Sequence, residues 1–180
     1  RPRDGVAPAE IELIAHTATE ADSISSHHVS RRLPGISLPT GVRVRSVEEE
    51  LPPLDGRDLL VVAIPSEAIR NAISAAVSGD ASVVMASKGL SREGERVSEL
   101  AVAAGVNPAR LFTLSGPNLA REIATGKPAA AVLASQAGRR EEVLAALTRP
   151  TFRIYLSEDP IGVEVAGALK NVLAIAVSGV

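Results

Sequence analysis

Five short apolar runs, separated by helix-forming stretches, constrain the fold of this chain more than any other feature. They are residues 59–64 (LLVVAI), 81–87 (ASVVMAS), 111–115 (LFTLS), 129–134 (AAAVLA) and 152–156 (FRIYL). Each has the length and the Val, Ile and Leu content of a strand rather than a buried helix. The unbroken run 59–64 predicts a central strand of a parallel sheet, covered on both faces. Helices are expected between the runs. One opens at Pro65-Ser66 and continues to about Val77, with Ser66 as N-cap and Ile69 and Ile73 on one face. Others are expected over 93–104, from Asn118 to about Thr125, and over 139–147. Strands and helices alternating at this spacing imply βαβ units and a right-handed, mostly parallel sheet.

Upstream the pattern is weaker. Residues 11–15 (IELIA) read as a strand, and 17–31 as a Ser-rich segment with a poor helical pattern. Residues 33–41 hold two Pro and two Gly and read as loop. Residues 42–46 (VRVRS) alternate with period two, as an edge strand does. Residues 1–10 read as loop.

The βα rhythm stops near 157–160. From Asp159 onward the chain is almost wholly apolar, a helix by its length, yet Lys170 and Asn171 stand in its middle. Leaving a bare ammonium among aliphatic side chains costs several kcal/mol in effective terms. Either Lys170 snorkels to water, or a cleft meets the helix there. The helix faces beyond Lys170 are expected to be partly bare. The boundary drawn here makes 1–158 one domain and 159–180 the start of another.

Ligands of open α/β sheets sit beyond the carboxyl ends of the strands. Three strand ends carry unusual chemistry: Pro65-Ser66, Lys88-Gly89 and Gly116-Pro117-Asn118. They are expected to be neighbours along one rim. Lys88 reads either as a ligand contact or as a solvated turn lysine. Gly116 and Asn118 open a helix whose first N–H groups could meet an anion, or Asn118 is a plain N-cap.

Composition excludes several classes. The formal net charge of −2 gives no footprint for nucleic acid. The chain has no cysteine, so disulfides, thiolate metal sites and a cysteine nucleophile are ruled out. His16, His27 and His28 are the only histidines and lack metal-ligand spacing. No apolar run of membrane-spanning length lacks a charge, and no signal peptide opens the chain, so a cytoplasmic protein without a membrane span is expected.

Taken in order, Ser87-Lys88-Gly89, Leu114-Ser-Gly-Pro-Asn-Leu-Ala120 with Glu122, Gly162-Val-Glu164 and Gly167-Ala-Leu-Lys-Asn-Val172 resemble the motif set of NAD(P)-dependent glycerol-3-phosphate dehydrogenase. The likeness runs from about Glu10 to Val172. It implies an α/β fold: a Rossmann-like, mostly parallel sheet lacking its first strand, then the first helix of an α-helical C-terminal domain. The family's Gly-x-Gly-x-x-Gly turn should precede Ile11 and most of its second domain should follow Val180, so the chain reads as an internal fragment.

The resemblance implies Lys170 as acid/base. Partial burial makes a lysine ammonium a better acid, which suits the role. It places Lys88, Gly116, Asn118, Lys170 and Asn171 on the substrate, glycerol 3-phosphate or dihydroxyacetone phosphate, and Lys88 and Ala120 on the cofactor. His16 falls where the adenosine ribose lies. No carboxylate stands between it and Glu20, so NADP is expected to be tolerated beside NAD. Two departures are visible: Asn118 stands where the family often has Ser or Thr, and Ser178 where a glycine is usual. The expected role feeds phospholipid synthesis, and a homodimer is open for the full-length enzyme. Two rivals stand beside this reading. One is a related two-domain dehydrogenase acting on a hydroxy acid or sugar. The other is a non-catalytic remnant binding a nucleotide weakly, or a partner through its last helix.

Overall fold

The computed structural model describes residues 10–49, 53–74 and 79–178; the side chains of Ser74, of residues 171–175 and of Ser178 also lie outside the description. The expected loop over residues 1–10 therefore falls outside it, except for Glu10. The chain divides into two compact units, residues 1–51 and 52–180.

The first unit is a single βαβ module. Strand β1 (Ile11–Ala15) pairs in parallel with β2 (Val42–Ser46), Ile11 opposite Val42 and Ala15 opposite Ser46. Helix α1 (Ala18–His27) connects them. The poor helical pattern here is rescued by its ends. Thr17 caps the first turn by accepting the Glu20 N–H at 3.1 Å. His28 ends the helix in the left-handed conformation (φ 52°). Arg43 and Arg45 on β2 reach Glu10 (2.6 Å) and Glu12 (3.1 Å) across the pair. The Arg43–Glu10 pair is largely solvated and contributes at most about 1 kcal/mol, while Arg45–Glu12 is partly buried.

The second unit holds five strands in sequence order: β3 (Leu59–Val62), β4 (Ser82–Met85), β5 (Leu111–Ser115), β6 (Ala129–Ala134) and β7 (Phe152–Ser157). β3, β4 and β5 are parallel, β6 is antiparallel to β5, and β7 is parallel to β6. The sheet thus reverses direction once, and β7 ends at the edge opposite the end of β5. Helices α2 (Ile69–Ser74), α3 (Val97–Ala103), α4 (Ala120–Ala124), α5 (Arg140–Leu147) and α6 (Pro160–Ser178) complete the unit.

β4 explains the two-sided core. All four of its residues are buried. Val83 and Met85 pack with Ile69, Ile73, Val97 and Leu100, while Val84 between them packs with Phe112, Leu133, Val143 and Ile154. Alternate side chains of one strand therefore feed two apolar layers, and each fully buried aliphatic side chain stabilises by about 1.5–3 kcal/mol.

α6 starts where its sequence says it should. Asp159 Oδ1 accepts the Gly162 N–H at 2.8 Å, with Pro160 at the first helical position. The helix then packs on β5 and β6. Gly167 makes that approach possible, because a Cβ there would run into Ser115 Oγ. Ile161, Val165 and Leu169, spaced i, i+4 and i+8, are exposed, and so is Val177. The bare apolar surface expected beyond Lys170 thus has a counterpart before it. Among the described residues no helix is long and apolar enough to cross a membrane.

Four local expectations change. Among the described residues of the second unit the run at 59–64 is not central: β3 stands at the end of the strand order there, and Val61 is 45% exposed. Apolarity of a run reports its own burial tendency, not how many neighbours the crossovers give it. Ser66 is not an N-cap; a 3₁₀ turn (Ser66–Ala68) precedes α2, and the Ser66 hydroxyl donates instead to Leu90 O at 3.1 Å. α3 begins four residues later than expected, because Gly94 (φ 84°) closes a turn in which Ser91 N–H donates to Glu95 O. Asn118 is not the cap of α4 either; that place is taken by Leu119, with no side-chain capping bond.

Candidate active site

The parallel order β3-β4-β5 brings three carboxyl ends to one edge, as expected for Pro65-Ser66, Lys88-Gly89 and Gly116-Pro117-Asn118. Hydroxyl groups stitch this rim together. Ser87 Oγ accepts the Ile64 N–H at 3.0 Å and donates to Val62 O at 3.3 Å. Beyond Ser87, the Lys88 ammonium swings sideways and donates to Gly116 O at 2.9 Å. β4 and β5 are thereby tied at the point where a ligand would lie.

Gly116 is a site of close approach. A Cβ there would sit 2.6 Å from Ala130 O, 3.0 Å from Ala131 Cα and 2.9 Å from Asn118 Nδ2. Two of these neighbours are backbone and cannot give way. Gly116→Ala should therefore destabilise the fold by about 1–3 kcal/mol, and displace both the carbonyl that holds Lys88 and the Asn118 amide. A melting temperature lower by several degrees, about 2–4 °C per kcal/mol at this size, is the expected readout.

The fourth member arrives from α6. Lys170 is half-buried and stands close enough to act on Lys88. Burial first, and then the positive charge of Lys170, hold the Lys88 ammonium below the ordinary lysine range. Among the described residues neither lysine is ion-paired with a carboxylate. Two cations converging on a glycine-floored rim without a counterion repel each other. A bound anion would turn that repulsion into two attractions.

A family model described as NAD-dependent glycerol-3-phosphate dehydrogenase N-terminus matches residues 5–140. The chain belongs to this family. A glycerol-3-phosphate dehydrogenase [NAD(P)+] of Corynebacterium glutamicum (strain R) is 40% identical over 173 residues, covering 92% of this chain and 52% of the relative. One from Parafrankia sp. (strain EAN1pec) is 42% identical over 177 residues, covering 94% and 52%. The crystal structure of glycerol-3-phosphate dehydrogenase from Coxiella burnetii superposes with a TM-score of 0.76 at 24% identity, covering 93% of this chain and 52% of that one, and shows the shared Rossmann-type α/β fold. The chain spans about half the length of the curated relatives it matches.

Of the residues expected in a site of this family, Lys88, Gly116, Asn118 and Lys170 come together in the second unit. Ala120 opens α4 two residues past Asn118 and is exposed. Asn171 follows Lys170 on α6, and its side chain lies outside the described residues. His16 belongs to the first unit, exposed in the bend after β1. The first carboxylate after it in the chain is Glu20, as the sequence reads. Glu20, one helical turn on, accepts the His16 N–H at 3.3 Å and is ion-paired with Arg32 at 3.5 Å. The capping pattern Thr17-x-x-Glu20 held that signal. The sequence reading also gave no role to Glu164, which is 4% exposed.

Proposed function

We propose that this chain carries the substrate-facing wall of an NAD(P)-dependent glycerol-3-phosphate dehydrogenase, interconverting sn-glycerol 3-phosphate and dihydroxyacetone phosphate. The observation that carries the reading is the pair Lys88 and Lys170, convergent and without a carboxylate among the described residues, on a rim floored by Gly116. In the forward direction Lys170 takes the proton of the C2 hydroxyl. In reverse its ammonium donates to the C2 carbonyl oxygen. Lys88 holds the anionic substrate, and Asn118 and Asn171 complete its hydrogen bonding.

The residues present suit the nicotinamide end of a dinucleotide: Lys88 and Ala120 border the rim, and His16 is assigned to the adenosine ribose. Bound there, NAD(P) would supply the hydride acceptor for C2. The 180 residues contain no Gly-x-Gly-x-x-Gly, so the groups that would hold the pyrophosphate are not among them. Either NADP or NAD serves as cofactor. In this reading α6 is the first helix of a substrate domain beginning near Asp159. The enzyme is cytoplasmic, supplies glycerol 3-phosphate to phospholipid synthesis and works as a homodimer.

Turnover of glycerol 3-phosphate against 3-hydroxy acids by the full-length protein decides between this and a sister dehydrogenase; preference for a hydroxy acid would sink it. Lys88→Gln should raise KM for glycerol 3-phosphate on the order of 10- to 100-fold, the worth of one charge-assisted hydrogen bond. The pH dependence has a definite sign. Lys88 loses its charge below the ordinary lysine range. KM should therefore begin to climb at a lower pH than an unperturbed lysine would cause, and Lys88→Gln should abolish that limb.

A further inference from the structure

Glu164 is a carboxylate that the reaction does not use, yet it is 4% exposed in the second unit. Carboxylates are rarely buried unless compensated. Here one oxygen accepts the Ser98 N–H at 2.7 Å, and the other accepts Ser98 Oγ–H at 2.7 Å and Arg96 Nη1–H at 3.3 Å. All three donors belong to the start of α3. Arg96 is held in turn by Glu99, whose Oε1 lies 2.8 Å from Nη2. The carboxylate therefore joins the last helix to an element 66 residues earlier in the chain.

Position on α6 shows what this contact can do. Glu164, Gly167 and Lys170 are spaced three apart, so each is a helical neighbour of the next, about 4.5 Å further along the axis and about 60° round it. Glu164 meets α3, Gly167 meets Ser115 on β5, and Lys170 meets the rim. Gly167 contributes closeness but no grip, since it has no side chain. The only directional bonds described along this face, beyond the capped first turn, are those of Glu164.

We propose that Glu164 is a positioning residue for Lys170: its buried carboxylate bolts α6 to the first turn of α3 and so fixes the rotation that aims the ammonium at the rim. The turnover consequence rests on the dehydrogenase reading above; the geometric consequence does not. The test uses the full-length protein with its lysines ¹³C-methylated, the Lys88 signal assigned through Lys88→Arg. In Glu164→Ala, α6 turns, Lys170 draws away, and the Lys88 titration moves up toward the ordinary lysine range. Glu164→Gln keeps the volume and one acceptor for the Ser98 N–H but loses the charge toward Arg96, and gives a smaller shift of the same sign. Glu99→Gln, the other carboxylate on Arg96, leaves Lys88 where it was.

Turnover of glycerol 3-phosphate should fall about 10- to 100-fold in Glu164→Ala with KM nearly unchanged, the signature of a misplaced reacting group. Should the alanine variant fail to fold, the glutamine variant decides alone. An unmoved Lys88 titration in the folded variants overturns the proposal. A moved titration in a protein that does not turn over glycerol 3-phosphate upholds the positioning role and overturns the activity instead.

Discussion

Lys170→Met in the full-length protein should lower turnover of glycerol 3-phosphate by about 10²–10⁴-fold, the range attributable to one general acid/base. Methionine keeps an unbranched, helix-favouring stem, so α6 should hold its register and the loss should read chemistry rather than folding. Dinucleotide affinity should change little. The same substitution removes one of the two causes that depress Lys88. Its titration should therefore rise, although burial, the larger cause, stays in place. Steady-state rates and a lysine titration on one sample test both halves. A near-normal rate would sink the acid/base role, even if Lys88 moved as expected.

Gly167→Val should cost nearly as much by a different route. The added Cβ would meet Ser115 Oγ, with Ser115 Cβ only 3.3 Å away, and two methyl groups worsen the conflict. The helix must lift off β5, losing about 1–3 kcal/mol of stability. Lys170 lies less than one turn further on, and an ångström of misplacement is worth about 10²-fold in rate. The smaller Gly167→Ala should be partly rescued by Ser115→Ala, since that removes the oxygen that collides but leaves the tight Cβ contact. Coupling in this double-mutant cycle, read from both Tm and kcat, is the check; simple additivity would show that the clash is not what hurts.

Legibility in the sequence differed by element for physical reasons. Strands such as β1, β5 and β6 were readable because their burial is encoded in their own residues. So was α6, through the Asp159-Pro160 start. What neighbours decide was not readable. The position of β3 at the end of the order, and the reversed direction of β6, depend on where crossovers land. A run such as AAAVLA is equally apolar in either direction. The rim itself was visible, because Gly116 follows β5 directly and Lys88 comes within three residues of the end of β4. Glu164 stood in one of the resembling motifs but carried no role, because a carboxylate between Val163 and Val165 does not show its partners, and only the distant Arg96 and Ser98 reveal it as buried. Glu20 was visible in the chain, but its contact with the His16 N–H was not, because its reach backward depends on Thr17 capping α1.

The single reversal within the sheet sets a length gauge. Because β7 finishes on the far side from the end of β5, α6 has to travel back across the layer to deliver Lys170. From Pro160 to Lys170 it advances ten residues, about 15 Å. A five-residue strand such as β5 covers about the same span. The helix thus measures the sheet, and the Lys170 ammonium sits where the two lengths coincide. Rotation is calibrated along with length: one residue more or fewer between Pro160 and Lys170 would swing the ammonium by about 100° and carry it off the edge it was measured to reach. Composition within that span can drift while its count cannot.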